Sequence, residues 1–342
     1  MKAKLFFSLL ALIGITALSA CGDGAGDNAE GGTPEMGQTG NPTIDGLTQA
    51  ISANSGNPDL YVKRGDVFYE NRGYDEAIRD YTKAIQLDTT QPVYYHKLAD
   101  AYLDYFKSRQ ALEILKSAAQ RFPEDIPTLL KLSEYHLILM QYEESMKTID
   151  RVLKIDPQNA EAYFMFGMNF EERKDTVRAI NSYQEAVELD ASIIGGWVNL
   201  GQLYAGLGDP LALRYFDNAT RIAPNNITAL HSKADYLTAT NDLEGAVALY
   251  RRIITIDPQY DDAYFNSGLL YLDMDSLSKA EQQFDLAVKV SPTHIRAYYF
   301  RGLSRELQGK PAEAVSDYEQ ALRMAPDYEQ AQERLNGLKE AG

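Results

Sequence analysis

The chain has 342 residues, with 33 Lys and Arg against 49 Asp and Glu, so its formal net charge at pH 7 is −16. A hydrophobic fraction of 45% is typical of a folded protein, and the negative charge argues against nucleic acid as a partner, because phosphate groups are bound by basic surfaces. A single cysteine excludes an internal disulfide framework and a Cys-rich metal site, and four histidines leave little material for a histidine metal site.

Residues 1–20 have the pattern of a bacterial export signal peptide. Lys2 and Lys4 precede an apolar run of about 14 residues, which is too short for an ordinary membrane-spanning helix. The sequence LSAC at 18–21 resembles the lipobox of bacterial lipoproteins. This resemblance implies that Cys21 is the lipidated first residue of the mature chain, with acyl chains such as palmitate attaching it to a membrane. A generic signal peptide that happens to carry a cysteine is the alternative.

Residues 21–42 are predicted to form a flexible tether, because they are rich in glycine and almost free of large apolar side chains. A tether of roughly 21 residues spans on the order of 25 Å. Gly22 follows the cysteine, where the enterobacterial sorting rule for lipoproteins has aspartate as an inner-membrane signal, so the outer membrane is favoured over the inner membrane. The predicted location is therefore the bacterial cell envelope, with the chain anchored by lipid.

A period of 34 residues organises the rest of the chain. Pro123 and Pro157 are 34 residues apart, as are Pro258 and Pro292, and one residue is missing from the repeat around 209–210. This period and its shared phrases resemble the tetratricopeptide repeat. The resemblance implies an all-α fold, a right-handed superhelical solenoid in which each unit is a helix–turn–helix repeat.

The predicted organisation places a half-repeat at 43–57 before the array and a capping helix at 329–342 after it. The eight complete units, numbered one to eight below, are 58–91, 92–125, 126–159, 160–193, 194–226, 227–260, 261–294 and 295–328.

Small residues recur where the two helices of a unit are expected to meet. Position 8 of every unit is Gly, Ala or Ser, and position 20 is Ala or Ser. Position 24 carries a bulky side chain on the same face of the second helix as position 20. A single unit cannot bury its apolar face alone, so we expect the stacked units to share a continuous core.

Basic residues depart from this pattern at positions that are usually apolar. Arg64, Lys233 and Arg301 occupy position 7, and Arg305 occupies position 11 of the last unit. Long aliphatic stems can lie along a core while the charge stays in water. We therefore expect these charges to be solvated, with Arg301 and Arg305 marking a solvated face near the end of the array.

The sequence contains no recognisable catalytic or cofactor-binding motif. His96, His136, His231 and His294 fall in separate units without metal-ligand spacing. The glycine-rich stretch in the tether lacks the Lys-Ser/Thr ending and the strand–helix context of a phosphate-binding loop. The sequence therefore predicts a protein that is not an enzyme and has no cofactor, no metal and no small-molecule substrate.

The most informative predicted surface is the concave one. The resemblance implies that positions 2, 5, 9, 12 and 13 of each first helix line an inner groove, and these positions hold thirteen acidic residues, one Arg (Arg296) and no Lys. Asp59, Glu161 and Asp262 lie in the first helical turn, where a carboxylate stabilises a helix without any partner. Capping does not explain the ten mid-helix acids, which are Asp66, Glu70, Asp100, Asp104, Glu134, Glu171, Glu172, Asp235, Asp273 and Glu306.

An acidic and partly apolar groove suits a protein or peptide partner that carries basic and hydrophobic segments. A solvated surface without a partner is the alternative reading of the same acids. The residues predicted to contact the partner are Asp66, Tyr69, Glu70, Asp100, Leu103, Asp104, Glu134, Leu137, Phe164, Met168, Glu171 and Glu172.

The function predicted from the sequence is that of a membrane-anchored, non-catalytic scaffold or adaptor for protein binding. Resemblance to other repeat lipoproteins suggests roles in cell-envelope assembly, secretion or the positioning of cell-wall hydrolases. Two alternatives come from other classes: a self-associating structural lipoprotein, and an enzyme with an unrecognised site.

Overall fold

The computed structural model describes residues 40–341, and every regular element in this range is an α-helix. The predicted signal peptide, Cys21 and most of the predicted tether lie outside the described residues. The array is flanked by α1 (Pro42–Ala53) and α18 (Glu329–Ala341). The first helices of the eight units are α2 (Pro58–Glu70), α4 (Pro92–Asp104), α6 (Ile126–Ile138), α8 (Ala160–Glu172), α10 (Ile194–Gly206), α12 (Ile227–Ala239), α14 (Asp261–Asp273) and α16 (Ile295–Leu307). The second helices are α3 (Tyr74–Leu87), α5 (Ser108–Arg121), α7 (Tyr142–Ile155), α9 (Thr176–Leu189), α11 (Leu211–Ile222), α13 (Leu243–Ile256), α15 (Leu277–Val290) and α17 (Pro311–Met324).

The helices stack in chain order. Each first helix packs against the second helix of its own unit, and each second helix packs against the first helix of the next unit. First helices of neighbouring units also touch one another, as α4 does with α6 and α10 does with α12. This arrangement confirms the predicted all-α solenoid of helix–turn–helix repeats. Because the first helices form the more closely packed layer, they lie on the concave side of the array.

Local sequence determines where the helices begin. Pro58 and Pro92 occupy the first turn of their helices, where the missing N–H costs nothing and φ is already suitable. Asn159 caps α8, since its side-chain oxygen accepts a hydrogen bond from the backbone N–H of Ala162 at 3.0 Å. Asp125 caps α6 in the same way. These caps satisfy backbone donors that a helix leaves unpaired at its start.

A residue with positive φ reverses the chain between the two helices of every unit. It stands at position 15, and only two of the eight units have glycine there. The eight residues are Arg72, Phe106, Met140, Lys174, Gly208, Asn241, Asp275 and Gly309. Glycine adopts this left-handed backbone without penalty, whereas other residues pay a steric cost.

The small residues at position 8 let the paired helices touch. A Cβ built on Gly167 would lie 2.4 Å from the ring of Tyr183, and one on Gly201 would lie 2.7 Å from the ring of Phe216. Both rings come from position 24 of the same unit and are buried. The predicted close approach of the two helices is therefore confirmed, and a larger residue at position 8 would force the ring to move.

The prediction that the basic residues in the core keep their charges in water is wrong for Arg64. This side chain is buried, with Nε and Nη2 each donating to a carboxylate oxygen of buried Asp80 at 2.7 Å. Nη1 also donates to the Thr48 hydroxyl of α1 at 3.0 Å. Lys233 is also paired with an acid, since its ammonium group is 2.7 Å from Asp217, but that acid is more exposed than Asp80.

Arg301 and Arg305 do not mark a solvated face either. Arg301 pairs with Asp317 at 2.6 Å and with Asp285 at 3.0 Å, and Arg305 pairs with Asp317 at 2.8 Å and with Glu281 at 2.9 Å. Asp317 is only 2% exposed. These partly buried arginines are tolerated because carboxylates on the second helices of units seven and eight compensate their charges.

Candidate functional site: the concave groove

The groove acids of units one to four lie on the first helices, as the sequence predicted, but most of them have partners inside the protein. In units with tyrosine at position 24, that hydroxyl donates to an acid on the first helix of the same unit. The distance is 2.7 Å both from Tyr81 to Asp66 and from Tyr183 to Glu171. Tyr250 with Asp235 and Tyr318 with Glu306 repeat the arrangement in units six and eight.

Other groove acids connect neighbouring units. The ammonium group of Lys97 is 2.7 Å from Asp66 of the preceding unit, and that of Lys131 is 2.8 Å from Asp100. Asp100 also accepts a hydrogen bond from the Tyr135 hydroxyl, and Asp104 accepts one from the Tyr69 hydroxyl. These contacts hold adjacent first helices together on the concave side.

The tyrosine hydroxyls are donors at ordinary pH. Burial, together with the neighbouring Asp66, raises the pKa of Tyr81 well above its usual value. Burial and Glu171 do the same to the pKa of Tyr183. A hydroxyl that stays protonated can satisfy a carboxylate, so each pair forms a charge-assisted hydrogen bond.

Capping left ten acids of the groove unexplained, and contacts within the protein account for six of them, which are Asp66, Asp100, Asp104, Glu171, Asp235 and Glu306. The groove positions themselves hold no lysine, but lysines at position 6 reach the acids from the next unit. Sequence reasoning missed them because the partners are 31 residues apart. An acid at position 9 followed 31 residues later by lysine is the signal that could have revealed them.

Three of the predicted partner-contacting acids remain unpaired. Glu70, Glu134 and Glu172 are exposed and neither accept a hydrogen bond nor form an ion pair with any described residue. The protein around Glu134 on the concave side reduces its solvation and raises the pKa of its carboxyl group, although Lys131 opposes that shift. Reduced solvation makes this carboxylate more responsive to a cation that approaches it.

The predicted apolar contacts differ in how much surface they offer. Tyr69, Leu103, Phe164 and Met168 are half-buried, so part of each side chain faces the groove. Leu137 is buried and serves packing instead. The half-buried side chains and the three unpaired acids therefore form the accessible part of the predicted site.

The histidines are engaged with other side chains. A ring nitrogen of His96 is 2.7 Å from the Thr128 hydroxyl, and one of His136 is 2.8 Å from the Gln141 amide oxygen. His231 lies 2.9 Å from the hydroxyl of Tyr260. Within residues 40–341, no group of three or more His, Cys, Asp or Glu side chains is placed to hold a metal ion.

A cavity of about 470 Å³ at the C-terminal end of the groove escaped the sequence analysis. Its lining joins α16 to the start of α18 and consists of Arg296, Tyr299, Phe300, Tyr328 and Gln330. Arg296 is exposed, and its guanidinium group lies 4.8 Å from the centre of the Phe265 ring. None of the helices over residues 40–341 combines the length and apolar character that crossing a bilayer requires.

Family models match the repeats directly. One described as tetratricopeptide repeat matches residues 58–91, 160–193 and 261–294, and a second with the same description matches 295–328. A third, described as TPR repeat, matches 234–275.

Curated relatives share this sequence at low identity. Protein O-mannosyl-transferase TMTC3 of Homo sapiens is 26% identical over 245 residues, which cover 68% of this chain and 26% of that protein. The DnaJ homolog subfamily C member 7 homolog of Dictyostelium discoideum is 21% identical over 344 residues, covering 81% of this chain and 64% of that protein. The chain spans about a quarter of the length of the first curated relatives it matches.

Among solved structures, the APC/C hetero-tetramer Cut9-Hcn1 aligns with a TM-score of 0.51 and 17% identity, covering 86% of this chain and 58% of that chain. At this identity the likeness concerns the fold. Together with the repeat matches and the helix stacking, it establishes that the chain contains tetratricopeptide repeats arranged as an all-α solenoid.

Proposed function

We propose that this protein is a non-catalytic, membrane-anchored scaffold whose concave groove binds a protein segment with basic and hydrophobic side chains. The observation that carries the proposal is the set of unpaired, exposed carboxylates Glu70, Glu134 and Glu172 on the first helices of units one, three and four. Because none of the three pairs with another residue in the part of the chain that the structure describes, each is available to a Lys or Arg of a ligand.

The apolar surface beside these acids would bind the hydrophobic side chains of the partner. Leu103 and Met168 are half-buried on the same set of helices and can bury further area against a partner. Tetratricopeptide arrays present an extended concave surface because each unit is rotated slightly relative to the last. Such a surface suits a partner segment that spans several units.

The anchoring part of the proposal rests on the lipobox-like sequence that ends in Cys21. Incorporation of labelled palmitate in the native host, and its absence from a Cys21→Ser variant, tests it. Fractionation of the envelope then tests the proposed outer-membrane location. Within the envelope, the scaffold would serve assembly, secretion or the positioning of cell-wall hydrolases.

The groove is tested by replacing only the acids that pair with no other described residue. Glu70→Gln, Glu134→Gln and Glu172→Gln are combined in one variant, because Asp100 and Asp104 hold tyrosine and lysine side chains and would disturb the array. The matched control variant replaces three exposed acids on the second helices α5 and α9: Glu113→Gln, Glu185→Gln and Glu188→Gln.

Partners are captured by crosslinking from membranes of the native host, and their affinity for each variant is then measured over a range of salt. We expect the groove variant to lose about tenfold in affinity at low salt and the control variant to lose little. Because screening weakens exposed charge pairs, the difference between the two should shrink as salt rises. Equal losses in both variants would contradict a site in the groove.

A further inference from the structure

Among residues 40–341, the four most exposed large hydrophobic side chains are arranged regularly. Phe106 is 95% exposed, Met140 74%, Val177 71% and Leu207 61%. They belong to units two, three, four and five, with one in each, and all lie at or next to the turn between the two helices of the unit. These four side chains are called the apolar edge below.

Contacts between neighbouring turns show that these turns lie side by side. In the second unit, the Tyr105 ring stacks on Tyr74 of the first with ring centres 5.7 Å apart, and its hydroxyl donates to Asp75 at 2.8 Å. In the fourth unit, Arg173 pairs with Glu143 of the third at 2.8 Å. The turns therefore follow one border of the solenoid, and the groove acids Asp104 and Glu172, the last residues of α4 and α8, lie next to that border.

The backbone at the turn does not favour the large side chains of Phe106 and Met140. Phe106 has φ of 60° and Met140 has φ of 56°, a left-handed conformation that disfavours residues with bulky side chains. Units six and seven have Asn241 and Asp275 at the same position of the repeat, and these residue types tolerate the conformation better. This conformation belongs to the turn of every unit, and in the second unit the Lys107 N–H stabilises it by donating to the Tyr102 carbonyl at 2.8 Å. Nothing in the turn requires a large apolar side chain, so the exposed Phe106 and Met140 side chains are not explained by the fold.

Unpaired cations stand close to these side chains in the sequence. Arg109 and Lys174 are exposed and form no ion pair with other described residues. Arg109 follows Phe106 by three residues, and Lys174 precedes Val177 by three. Acids lie as close to the same turns, since Asp104 and Glu172 precede Phe106 and Lys174 by two residues. Apolar tips among charges of both signs suit a layer of zwitterionic lipid headgroups, in which phosphate and ammonium groups lie next to hydrocarbon.

We infer that the apolar edge of units two to five contacts a lipid surface. Side chains that project one per unit can insert between headgroups without a complementary partner surface, whereas a stable protein interface needs a closely packed patch of about 1,000 Å² or more. The inference rests on the proposed membrane anchoring, because Cys21 would bring the array to the bilayer. The 20 residues from Cys21 to Gly40 are joined by 19 Cα–Cα steps and reach at most about 65 Å.

The test places an environment-sensitive fluorophore, nitrobenzoxadiazole, on single cysteines introduced into the full lipidated chain in phosphatidylcholine vesicles. The edge variants are Phe106→Cys, Met140→Cys and Leu207→Cys. The matched controls are Asn241→Cys and Asp275→Cys, which stand at the turn position of Phe106 and Met140 but in units six and seven. Spin labels on shallow acyl positions should quench only the edge labels, because insertion of this kind reaches about 5–10 Å.

A second arm tests whether the side chains act together. Phe106→Asn and Met140→Asn, introduced beside the label at 207, should reduce the quenching of that label about twofold or more. Neither change threatens the fold, because asparagine accepts the left-handed backbone more readily. Val93→Ser and Leu307→Ser, which remove two other exposed apolar side chains, should leave the quenching unchanged.

The possible results distinguish a failure of the inferred lipid contact from a failure of the proposed lipid anchor. Equal quenching at edge and control positions overturns the inference, and so does an absence of quenching at the edge. A fluorescence change that depends on protein density and not on lipid also overturns it, because that result would indicate contact with a second copy of the chain. The wild-type chain is labelled in parallel, since a reactive Cys21 thiol would show that the proposed anchor has failed. In that case a Cys21→Ser chain carrying the edge labels is attached to the vesicles through an N-terminal His tag and a nickel-chelating lipid. The edge then reaches the bilayer without the acyl anchor, and an absence of quenching there overturns the inference.

Discussion

Arg64 in the first unit and Arg301 in the last occupy the same position of the repeat, yet their surroundings differ. Each forms an ion pair with an aspartate on the second helix of its own unit, Asp80 or Asp317. Among the described residues, Arg64 forms hydrogen bonds only with that carboxylate and the hydroxyl of Thr48. Arg301 belongs to a network that reaches back into the seventh unit through Asp285.

The same arginine–aspartate pair is therefore an isolated ion pair in the first unit and part of a larger network in the last. The pair in the first unit fixes α1 and α2 against α3 but contains a single cation. The network in units seven and eight has a second cation, Arg305, on the same buried Asp317, and Lys289 on Asp285. Shared partners should make the C-terminal network more tolerant of losing one member, because no carboxylate is left wholly uncompensated.

The largest effect is expected from Arg64→Met. The change leaves the buried carboxylate of Asp80 without a cation, which should lower the free energy of unfolding of the N-terminal part by about 3–5 kcal/mol. Urea unfolding and amide hydrogen exchange of α1 to α3 measure it. The double variant Arg64→Met, Asp80→Leu is the control and should recover much of the loss, because it also removes the stranded charge.

Arg301→Met is expected to cost less, about 1–3 kcal/mol. Asp317 keeps Arg305 at 2.8 Å, and Asp285 keeps Lys289 at 2.5 Å. The same urea titration measures the loss, with hydrogen exchange followed in α15 to α17. A cost equal to that of Arg64→Met would show that the network gives no protection.

Acid titration probes the network through Glu281. Burial would raise the pKa of this carboxyl group, but hydrogen bonds from Lys310 and Arg305 outweigh that effect and lower the pKa from 4.5 to about 2. Because the pKa in the folded state is depressed, the contribution of Glu281 to stability is complete above about pH 4.5 and is lost as the pH falls towards 2. Thermal unfolding of wild type and Glu281→Gln over this range should converge at the acid end. Parallel curves for the two proteins would contradict the assignment.

The smallest effect is expected from Lys233→Met in the sixth unit. Lys233 holds the same repeat position as the two arginines, but its partner Asp217 is 53% exposed at the side chain. Solvent screens such a pair and can hydrate the remaining carboxylate, so the change should cost no more than about 1 kcal/mol. Thermal unfolding checks this value, and a larger loss would show that exposure of the acid does not limit the cost.

Much of the fold follows from short-range patterns in the sequence. The 34-residue period, the small residue at position 8 and the bulky residue at position 24 predicted helix pairs that touch closely, as Gly167 and Tyr183 do. These patterns can be recognised in the sequence because every unit buries an apolar face in the same way and so repeats the same residue types. The same reasoning placed the groove acids on the first helices.

The candidate site was less predictable because its contacts join residues far apart in the chain. Tyr69 and Asp104 are 35 residues apart, and Asp66 and Lys97 are 31 apart. Composition at the groove positions indicated concentrated charge, but it could not show which acids were already paired. Only the stacking of neighbouring units separated Asp66 and Asp100 from the unpaired Glu70 and Glu134.

The sequence by itself determined that this chain is an array of helical repeats with acidic first helices, because period and side-chain size are properties of single units. The tertiary structure decided which charges are compensated and which apolar side chains stay exposed, as at Asp317 and Phe106. Those outcomes depend on what the next unit brings within contact distance. Burial and ion pairing are properties of neighbouring units together, whereas helix formation and close helix pairing are largely properties of each unit alone.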